Sequence, residues 1–523
     1  MLFQSYIFIL LFFPLCLLGF WGLKRQKLLQ LWLIAFSLWF YGAASPYYLL
    51  LLLGSIAWNY AFFRTIERVP GDAVERAEHG MERDSSRKRL LLGIGIAGNL
   101  ALLCFFKYFN AISAGWSQMK GLEDPILQLA LPLGISFFTF QQIGFLADAY
   151  KGEVGACSLR EYVLFVSFFP YVSSGPIVNA QEMLPQYRQI GRQRLDWEKF
   201  AGGLYLFALG LSKKVLLADT FGKSVDAGYG NVAGLSGTDA WLVMLFYTLQ
   251  LYFDFSGYCD MGRGIAHMLG MELPVNFDSP YKASNIIEFW KRWHITLNRF
   301  LRKYVYIPLG GNRKGTARMY LNLFLVFLVS GIWHGAGWNF VLWGALHGML
   351  YLVTRAWQRR QPWQRKQPGQ QCAADVHVQS ETKKSGAFSA VQHVLCVALT
   401  FLFLNVTWML FRSADLSQAG EFIGRLIGGG FAAPAVQITE AFNLEEFWYV
   451  IKILHLDRLP GSELYLCFGF LAVAFWLVFF ARNAGEREKA FEPNGKTMFV
   501  TAFLMIWCVV SLSGVSSFLY YRF

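Results

Sequence analysis

Apolar runs about 20 residues long recur from one end of this chain to the other, and a helix of roughly that length is what crosses a lipid bilayer. The 523 residues are 55% hydrophobic and only 15% charged, whereas soluble domains average about 25% charged residues. Mean hydropathy over the chain is +0.36. We therefore expect an all-α polytopic membrane protein in which residues 1–523 form a single membrane domain, rather than the several soluble domains that length alone suggests.

The apolar runs predict about nine to thirteen membrane-embedded helices. Some runs are short or interrupted by glycine and proline, and we expect these to be re-entrant or interfacial. No basic stretch precedes the first run and Arg25 follows it, so we expect a retained first span with its N-terminus outside, not a signal peptide. The candidate segments are approximately 5–23, 29–44, 47–63, 89–109, 126–147, 160–177, 200–218, 239–256, 319–334, 338–356, 388–411, 464–481 and 497–518.

The net charge of +13 is concentrated in short loops between the apolar runs. This is the positive-inside pattern of membrane proteins, and with no nucleic-acid-binding motif it argues against nucleic acid as a partner. Polar segments at about 64–89 and 359–385 are predicted to be cytoplasmic loops, the first containing an amphipathic helix. We expect 412–458 outside the membrane or at its surface. Eight scattered cysteines without a CxxC pair predict neither a disulfide framework nor a metal site.

Two histidines stand in apolar, tryptophan-rich sequence: His294 in FWKRWHITL (289–297) and His334 in SGIWHGAGW (330–338). An ionisable side chain within a membrane segment is costly, so it indicates a functional site by default. Imidazole is also a common general base near neutral pH. The pair predicts an enzyme with a membrane-embedded active site, although a hydrogen bond between helices would also explain a single membrane histidine. His347, flanked by glycines, is interpreted mainly as a packing residue.

The segment Ser284–Tyr306 carries too many charges for a simple span, yet its apolar residues recur at steps of three and four. We predict one amphipathic helix at the membrane interface, with Asn285 at its start and His294 on the inward apolar face. The following turn, 308–315, contains Arg313 and Lys314, which are candidates for binding donor phosphates. The positive-inside rule alone explains these two charges equally well.

Upstream, Asp254 and Asp260 place two carboxylates in an apolar neighbourhood. Buried acids need partners, so either carboxylate could orient a histidine or bind a basic residue. We favour the structural explanation for both, a buried salt bridge or a helix cap.

An ordered set of segments resembles the membrane-bound O-acyltransferase (MBOAT) family, in its bacterial alginate and polysaccharide O-acetyltransferase branch. Order and spacing agree over most of the chain. Lys303 and Cys259 depart from the branch, where an acidic and a small hydroxyl residue are usual, and they bear on substrate details rather than on the reaction class. The matching segments are LPLGISFFTF (131–140), a more diverged FPYVSSGP (169–176), DFSGY (254–258), RWHITL (292–297), IPLGGNRKG (307–315) and WHGAGW (333–338).

The resemblance implies an MBOAT fold in which His334 is the essential catalytic histidine and His294 occupies the second family position. It implies acyl transfer from cytoplasmic acetyl-CoA, with no permanently bound cofactor and no metal. We expect Trp293, Trp333 and Asn312 to contribute to substrate or donor binding beside Arg313 and Lys314. The resemblance further implies a bacterial inner-membrane location, periplasmic or extracellular acetyltransferase partner proteins, and an exported alginate-like or cellulose-like polysaccharide.

Three other functions fit the same residues. Within the enzyme class, another MBOAT branch transfers D-alanine from a carrier protein to a cell-wall polymer. A transporter or flippase would also use intramembrane histidines and broken helices, although no internal repeat is evident. A scaffold subunit of a cell-envelope complex would tolerate substitution of both histidines.

Overall fold

The structure, a computed structural model, describes residues 1–23, 25–69, 81–120, 129–191, 194–360, 387–443, 452–453, 455, 461–514 and 519. Throughout these ranges the chain forms helices and no strand, apart from an isolated bridge between Phe277 and Trp293. The predicted all-α class is confirmed.

The helices are numbered in chain order. They are α1 (Phe13–Gly22), α2 (Gln26–Gly42), α3 (Pro46–Arg68), α4 (Met81–Met119), α5 (Ile135–Tyr150), α6 (Leu159–Ser167), α7 (Ala180–Gln189), α8 (Trp197–Ser212), α9 (Asp219–Gly230), α10 (Gly237–Met268), α11 (Ile286–Arg292), α12 (Ile295–Leu301), α13 (Thr316–His334), α14 (Trp338–Arg360), α15 (Ala387–Arg412), α16 (Leu416–Gly428), α17 (Val436–Thr439), α18 (Ser462–Phe479), α19 (Ala484–Lys489) and α20 (Gly495–Val510).

The chain divides into two compact units. The first unit comprises Met1–Thr220, Gln250–Val275 and Ala484–Phe523, and the second unit comprises Phe221–Leu249 and Asn276–Asn483. Helix α10 contributes its first half to the second unit and its second half to the first. That residues 1–523 form one membrane domain stays a prediction.

Six helical stretches within the described ranges are long and apolar enough to cross a membrane, which confirms a multi-pass membrane protein. Two shorter apolar helical stretches, Phe8–Gly22 and Gly495–Val510, match further predicted segments. The six are Pro46–Arg68, Ser86–Ser117, Trp197–Gly230, Thr316–His334, Ala390–Arg412 and Ser462–Phe479.

Polar side chains fix several helix starts, as expected where backbone N–H groups lack partners within the helix. Ser158 and Glu161 form a reciprocal capping box at the start of α6. Asp196 begins α8 by accepting hydrogen bonds from the amides of Glu198 and Lys199. These short polar motifs determine where helices begin in an otherwise apolar chain.

In the first unit, α8 packs closely against the second half of α10. A Cβ atom on Gly210 would lie 2.6 Å from the carbonyl oxygen of Gly257, so a larger residue would force the helices apart. Small residues at facing positions are how membrane helices achieve such contact. After α8 the chain continues as a π-helical turn, Lys213–Ala218.

Two predicted segments are wrong in extent. The candidate span 160–177 ends early, because α6 stops at Ser167 and Pro170 follows in a buried turn. The polar loop at 64–89 is shorter than predicted, because α3 continues to Arg68 and α4 begins at Met81. Residues 70–80 of the first predicted loop, where part of its amphipathic helix was expected, and nearly all of the loop at 359–385 lie outside the described residues.

Candidate active site

His334 is the last residue of α13, and close packing of α13 against α14 fixes its position. A Cβ atom on Gly331 would lie 2.4 Å from the carbonyl oxygen of Phe340, and one on Gly344 would lie 3.3 Å from the Cα of Gly331. The helix ends because Gly335 adopts an extended conformation. Helix α13 therefore ends directly at the histidine, beside a close contact between α13 and α14.

Aromatic rings enclose the His334 side chain, which is only 5% exposed. Its ring centroid lies 5.3 Å from that of Trp343 in α14 and 5.0 Å from that of Phe411 in α15, both edge-on. The preceding Trp333 adds a third ring at 4.6 Å. Such an enclosure keeps bulk water away from the imidazole, which suits chemistry on a hydrolysable substrate.

The single helix predicted over Ser284–Tyr306 is wrong, because the chain breaks at the histidine. Helix α11 ends at Arg292 and α12 begins at Ile295. Between them His294 has φ 47° and ψ 52°, in the left-handed region. A residue with a Cβ adopts this conformation only when its surroundings impose it, and such residues cluster at functional sites.

A segment upstream imposes the break. The amide of Asp278 donates to the carbonyl oxygen of Arg292 at 2.9 Å, and the amide of Ile295 donates to that of Asn276 at 3.0 Å. These bonds to residues 276–278 replace those that a continuous helix would have made. Helical periodicity could not reveal this, since the competing partners lie outside the periodic segment.

One asparagine satisfies carbonyl groups that the break exposes. Asn298 donates through Nδ2 to the carbonyl oxygens of Trp290 and Trp293, at 2.6 and 2.8 Å. At the start of α11, the Asn285 side chain caps the helix as predicted. The reciprocal bond differs from a standard capping box, because Glu288 accepts from Ser284 instead of the capping residue.

The Asn276 side chain holds His294. Its Oδ1 accepts from the amide of Thr296 at 3.1 Å and from the Thr296 hydroxyl at 2.9 Å, and it lies 3.3 Å from His294 Nδ1. Because Oδ1 is an acceptor, this contact assigns the proton of the neutral ring to Nδ1 and the lone pair to Nε2.

His294 is 1% exposed, so the inward orientation predicted from the sequence is confirmed. It lies outside the six candidate membrane spans. Burial lowers the pKa of this imidazole to about 3, which keeps it neutral at physiological pH.

Tryptophans connect the surroundings of the two histidines. The ring of Trp293 lies 5.0 Å from that of Trp408 in α15, which lies 5.9 Å from that of Trp343. Trp343 in turn contacts His334. We call Trp293, Trp408 and Trp343 the tryptophan row. Large, rigid rings in contact hold geometry with little conformational freedom, so the row fixes the surroundings of His294 and His334 relative to each other.

His347 is a buried histidine with a structural environment. Its Nε2 lies 3.1 Å from the hydroxyl of Thr407, a hydrogen bond between α14 and α15. The ring also packs 5.2 Å from Trp290 and 4.6 Å from Trp343. These contacts agree with its interpretation as a packing residue.

The structure divides the seven predicted site residues into two groups. His294, His334, Trp293 and Trp333 are buried, whereas Asn312, Arg313 and Lys314 are exposed on the turn before α13. Asn322 ties that turn to α13 by donating to the carbonyl oxygens of Leu309 and Gly311, at 3.2 and 3.0 Å. The structure therefore brings the histidines and tryptophans together, and a donor-binding role for the turn stays a prediction.

The two carboxylates near DFSGY have lysine partners in the first unit. Asp254 lies 2.7 Å from Lys214, and Asp260 lies 2.6 Å from Lys213. The favoured explanation, a structural ion pair, is confirmed for both.

The sequence did not identify Asn276, Trp343, Trp408 or Phe411 as site residues. Asn276 lies 18 residues before His294 in an irregular segment, and no local pattern connects the two. Trp343 lies nine positions after His334, and its place in a tryptophan-rich stretch was the available signal.

The described residues thus belong to a multi-pass membrane protein that buries two histidines among tryptophans. Residues 87–379 match the model of MBOAT, the membrane-bound O-acyltransferase family. The chain is 39% identical to a peptidoglycan O-acetyltransferase of Helicobacter pylori, over 100% of this chain and 98% of that protein. It is 34% identical to a probable alginate O-acetylase of Pseudomonas putida, over 94% and 90% of the two chains. The chain belongs to the MBOAT family and is an acyltransferase.

The chain is also similar to a protein that is named for a different activity. It is 28% identical to a teichoic acid D-alanyltransferase of Streptococcus thermophilus, over 53% of this chain and 69% of that protein. This match is lower in identity and shorter than those to the O-acetylating relatives.

Proposed function

We propose that this protein transfers acetyl groups from cytoplasmic acetyl-CoA across or into the inner membrane for O-acetylation of an exported polysaccharide. The observation that carries the proposal is the enclosure of His334 by Trp343 and Phe411 at the end of α13. The relatives named for O-acetylation of peptidoglycan and alginate support the polysaccharide and the acetyl group.

The reaction assigns one proton transfer to His334. Its imidazole takes the proton of an acceptor hydroxyl, and the oxygen attacks the thioester carbonyl. A carbon–oxygen bond forms, the carbon–sulfur bond breaks, and the leaving thiolate takes the proton back from the imidazolium. The aromatic enclosure limits the competing attack by water on the thioester.

His294 serves substrate positioning in this proposal. Asn276 holds its ring, and the tryptophan row connects its surroundings to those of His334. Burial keeps it neutral, and Nε2 is then an acceptor suited to a substrate hydroxyl or thiol. Trp293 and Trp333 contribute walls of the site. Periplasmic or extracellular acetyltransferase partners complete the modification of the polysaccharide.

The test uses purified, reconstituted protein and acetyl-CoA labelled in the acetyl group. We expect release of free CoA and transfer of label to a hydroxyl acceptor when a polysaccharide fragment is supplied. Label that crosses the vesicle membrane while acetyl-CoA remains intact would instead identify a transporter. Transfer from a D-alanyl carrier protein with no use of acetyl-CoA would identify the other enzymatic branch.

A further inference from the structure

Helix α14 aligns three polar residues beside α13. Tyr351, Arg355 and Arg359 follow one another at intervals of four and therefore share one face of the helix. The Tyr351 ring lies 5.2 Å from that of Phe327 in α13, which directs this face toward α13. Arg359 continues along the same side, with its guanidinium 5.9 Å from the ring of Tyr320.

A third arginine, Arg302, lies on a different helical segment that also packs against α13. Arg302 begins this π-helical segment, Arg302–Tyr306. Tyr306 marks where the arginines converge, because Arg302, Arg355 and Arg359 all oppose the effect of burial, which raises the pKa of its phenol. We call Arg302, Arg355 and Arg359 the arginine cluster.

The arginine cluster has no counter-charge within the part of the chain that the structure describes. Arg292 and Arg412 of the same unit form ion pairs, with Glu288 and Asp226 at 2.7 Å. No such pair involves the cluster among the described residues. Convergent guanidinium groups repel one another, so an arrangement without carboxylates is suited to an external anion.

Arg355 adds a second, independent observation. Its Nε is buried and makes no hydrogen bond to any described residue. A buried donor left without an acceptor is costly, and it marks a place where a ligand oxygen would be stabilised. An anion bound here would therefore accept a hydrogen bond from Arg355 Nε, in addition to being attracted by the positive charge of the cluster.

We infer that the arginine cluster binds phosphate groups of the nucleotide part of the acyl donor. The inference rests on the proposed use of acetyl-CoA, whose nucleotide carries a diphosphate and a 3′-phosphate. Guanidinium groups bind phosphate oxygens with two parallel hydrogen bonds, which an ammonium group cannot match. The turn with Arg313 extends the same surface, since a Cβ atom on Gly311 would lie 3.5 Å from the Tyr306 ring.

Membrane phospholipids offer the same chemistry, because their headgroups also carry phosphate and basic residues at a membrane surface attract them. An assay without phospholipid distinguishes the acyl donor from a membrane lipid as the bound phosphate. A donor site changes the KM for acetyl-CoA in phosphate-free detergent, whereas a lipid site acts only when phospholipid is present.

The experiment measures KM and kcat for Arg355→Gln with acetyl-CoA, acetyl-dephospho-CoA and acetyl-pantetheine, in a phosphate-free detergent. We expect R355Q to raise the KM for acetyl-CoA about tenfold, as expected for a lost charge-assisted hydrogen bond, and to change kcat by less than about twofold. The KM for acetyl-pantetheine, which has no phosphate, should stay at the wild-type value. A smaller KM increase for acetyl-dephospho-CoA would assign Arg355 to the 3′-phosphate.

The matched control is Arg425→Gln on α16, an arginine of the same unit outside the cluster, which should leave all three KM values unchanged. Arg355→Lys should fall between wild type and R355Q, since it keeps the charge but loses the planar fork. An unchanged KM for acetyl-CoA in R355Q overturns the inference, as does an equal increase for acetyl-pantetheine. An effect seen only with phospholipid vesicles also overturns it, in favour of lipid. Failure of the proposed function can be distinguished from failure of this inference, because wild-type protein would then not use acetyl-CoA at all.

Discussion

The two units bury polar groups in opposite ways. In the first unit, Lys214 is paired with both Asp219 and Asp254 at 2.7 Å, so a buried cation is neutralised by buried anions. In the second unit, Asn276 contacts His294, and aromatic rings surround His334. A buried ion pair is costly to break from one side, whereas a neutral imidazole keeps a nitrogen lone pair that can accept a hydrogen bond or a proton.

This comparison predicts different consequences for mutation in the two units. Substitution in the buried ion-pair network should reduce the amount of folded protein. Substitution of the histidines should reduce the reaction of each folded molecule and leave folding nearly intact.

Lys214→Met should have the largest effect. It leaves Asp219 and Asp254 as buried anions without their shared cation, and breaking a buried pair from one side costs about 3–5 kcal/mol. We expect loss of monodisperse protein in detergent and a much lower Tm. Lys489→Met, at an exposed position of the same unit, is the control. A K214M protein with the yield and Tm of K489M would contradict a structural role for this network.

Asn276→Ala should have an intermediate effect. It removes the acceptor of two Thr296 hydrogen bonds and the partner of His294 Nδ1, and leaving a buried donor unsatisfied costs about 1–3 kcal/mol. We also expect slower acetyl transfer per folded molecule, because His294 loses its fixed orientation.

Thr407→Val is the matched comparison, since it removes the partner of the other buried histidine, His347. It should lower the Tm but preserve the rate per folded molecule. Equal rate losses in N276A and T407V would show that both act only through stability, and Asn276 would then have no positioning role.

The pH dependence of stability should show the smallest effect. The pKa of His294 falls from 6.5 to about 3 on burial, so below pH 6.5 the unfolded chain binds a proton that the folded protein does not. Stability must then fall as the pH falls, by less than about 1 kcal/mol between pH 7 and pH 6 and by at most about 1.4 kcal/mol per further pH unit for one such group. Tm measured between neutral and mildly acidic pH should fall less steeply for His294→Gln than for wild type. Parallel curves for the two proteins would show that His294 titrates normally.

The sequence predicted those parts of the fold that depend on local pattern. Apolar length identified α13 and α15 nearly to their ends, because lipid selects for such runs. The carboxylates of Asp254 and Asp260 were correctly expected to have basic partners, because an isolated buried charge is too costly to retain.

Other features depend on contacts between segments distant in sequence. The break at His294 exists because residues 276–278 bond to the backbone on both sides of it, and the apolar periodicity of 284–306 runs through it without interruption. The tryptophan row depends on Trp408 in α15, more than 60 residues beyond Trp343 in α14. No local sequence pattern shows which tryptophans contact one another across such distances. The residues that line the site could therefore be identified only from the structure.

The most direct test of His334 as the general base is the rate at which purified His334→Ala transfers labelled acetyl groups, per folded molecule, beside wild type and His393→Ala. His393 is exposed on α15, so H393A controls for loss of a histidine as such. We expect H334A to remain folded, with a size-exclusion profile like that of wild type, and to transfer acetyl groups at least about a hundredfold more slowly, the lower range for loss of a general base. H393A should transfer at the wild-type rate. A folded H334A that transfers acetyl groups as fast as H393A would contradict the claim that the enclosed His334 carries the reaction.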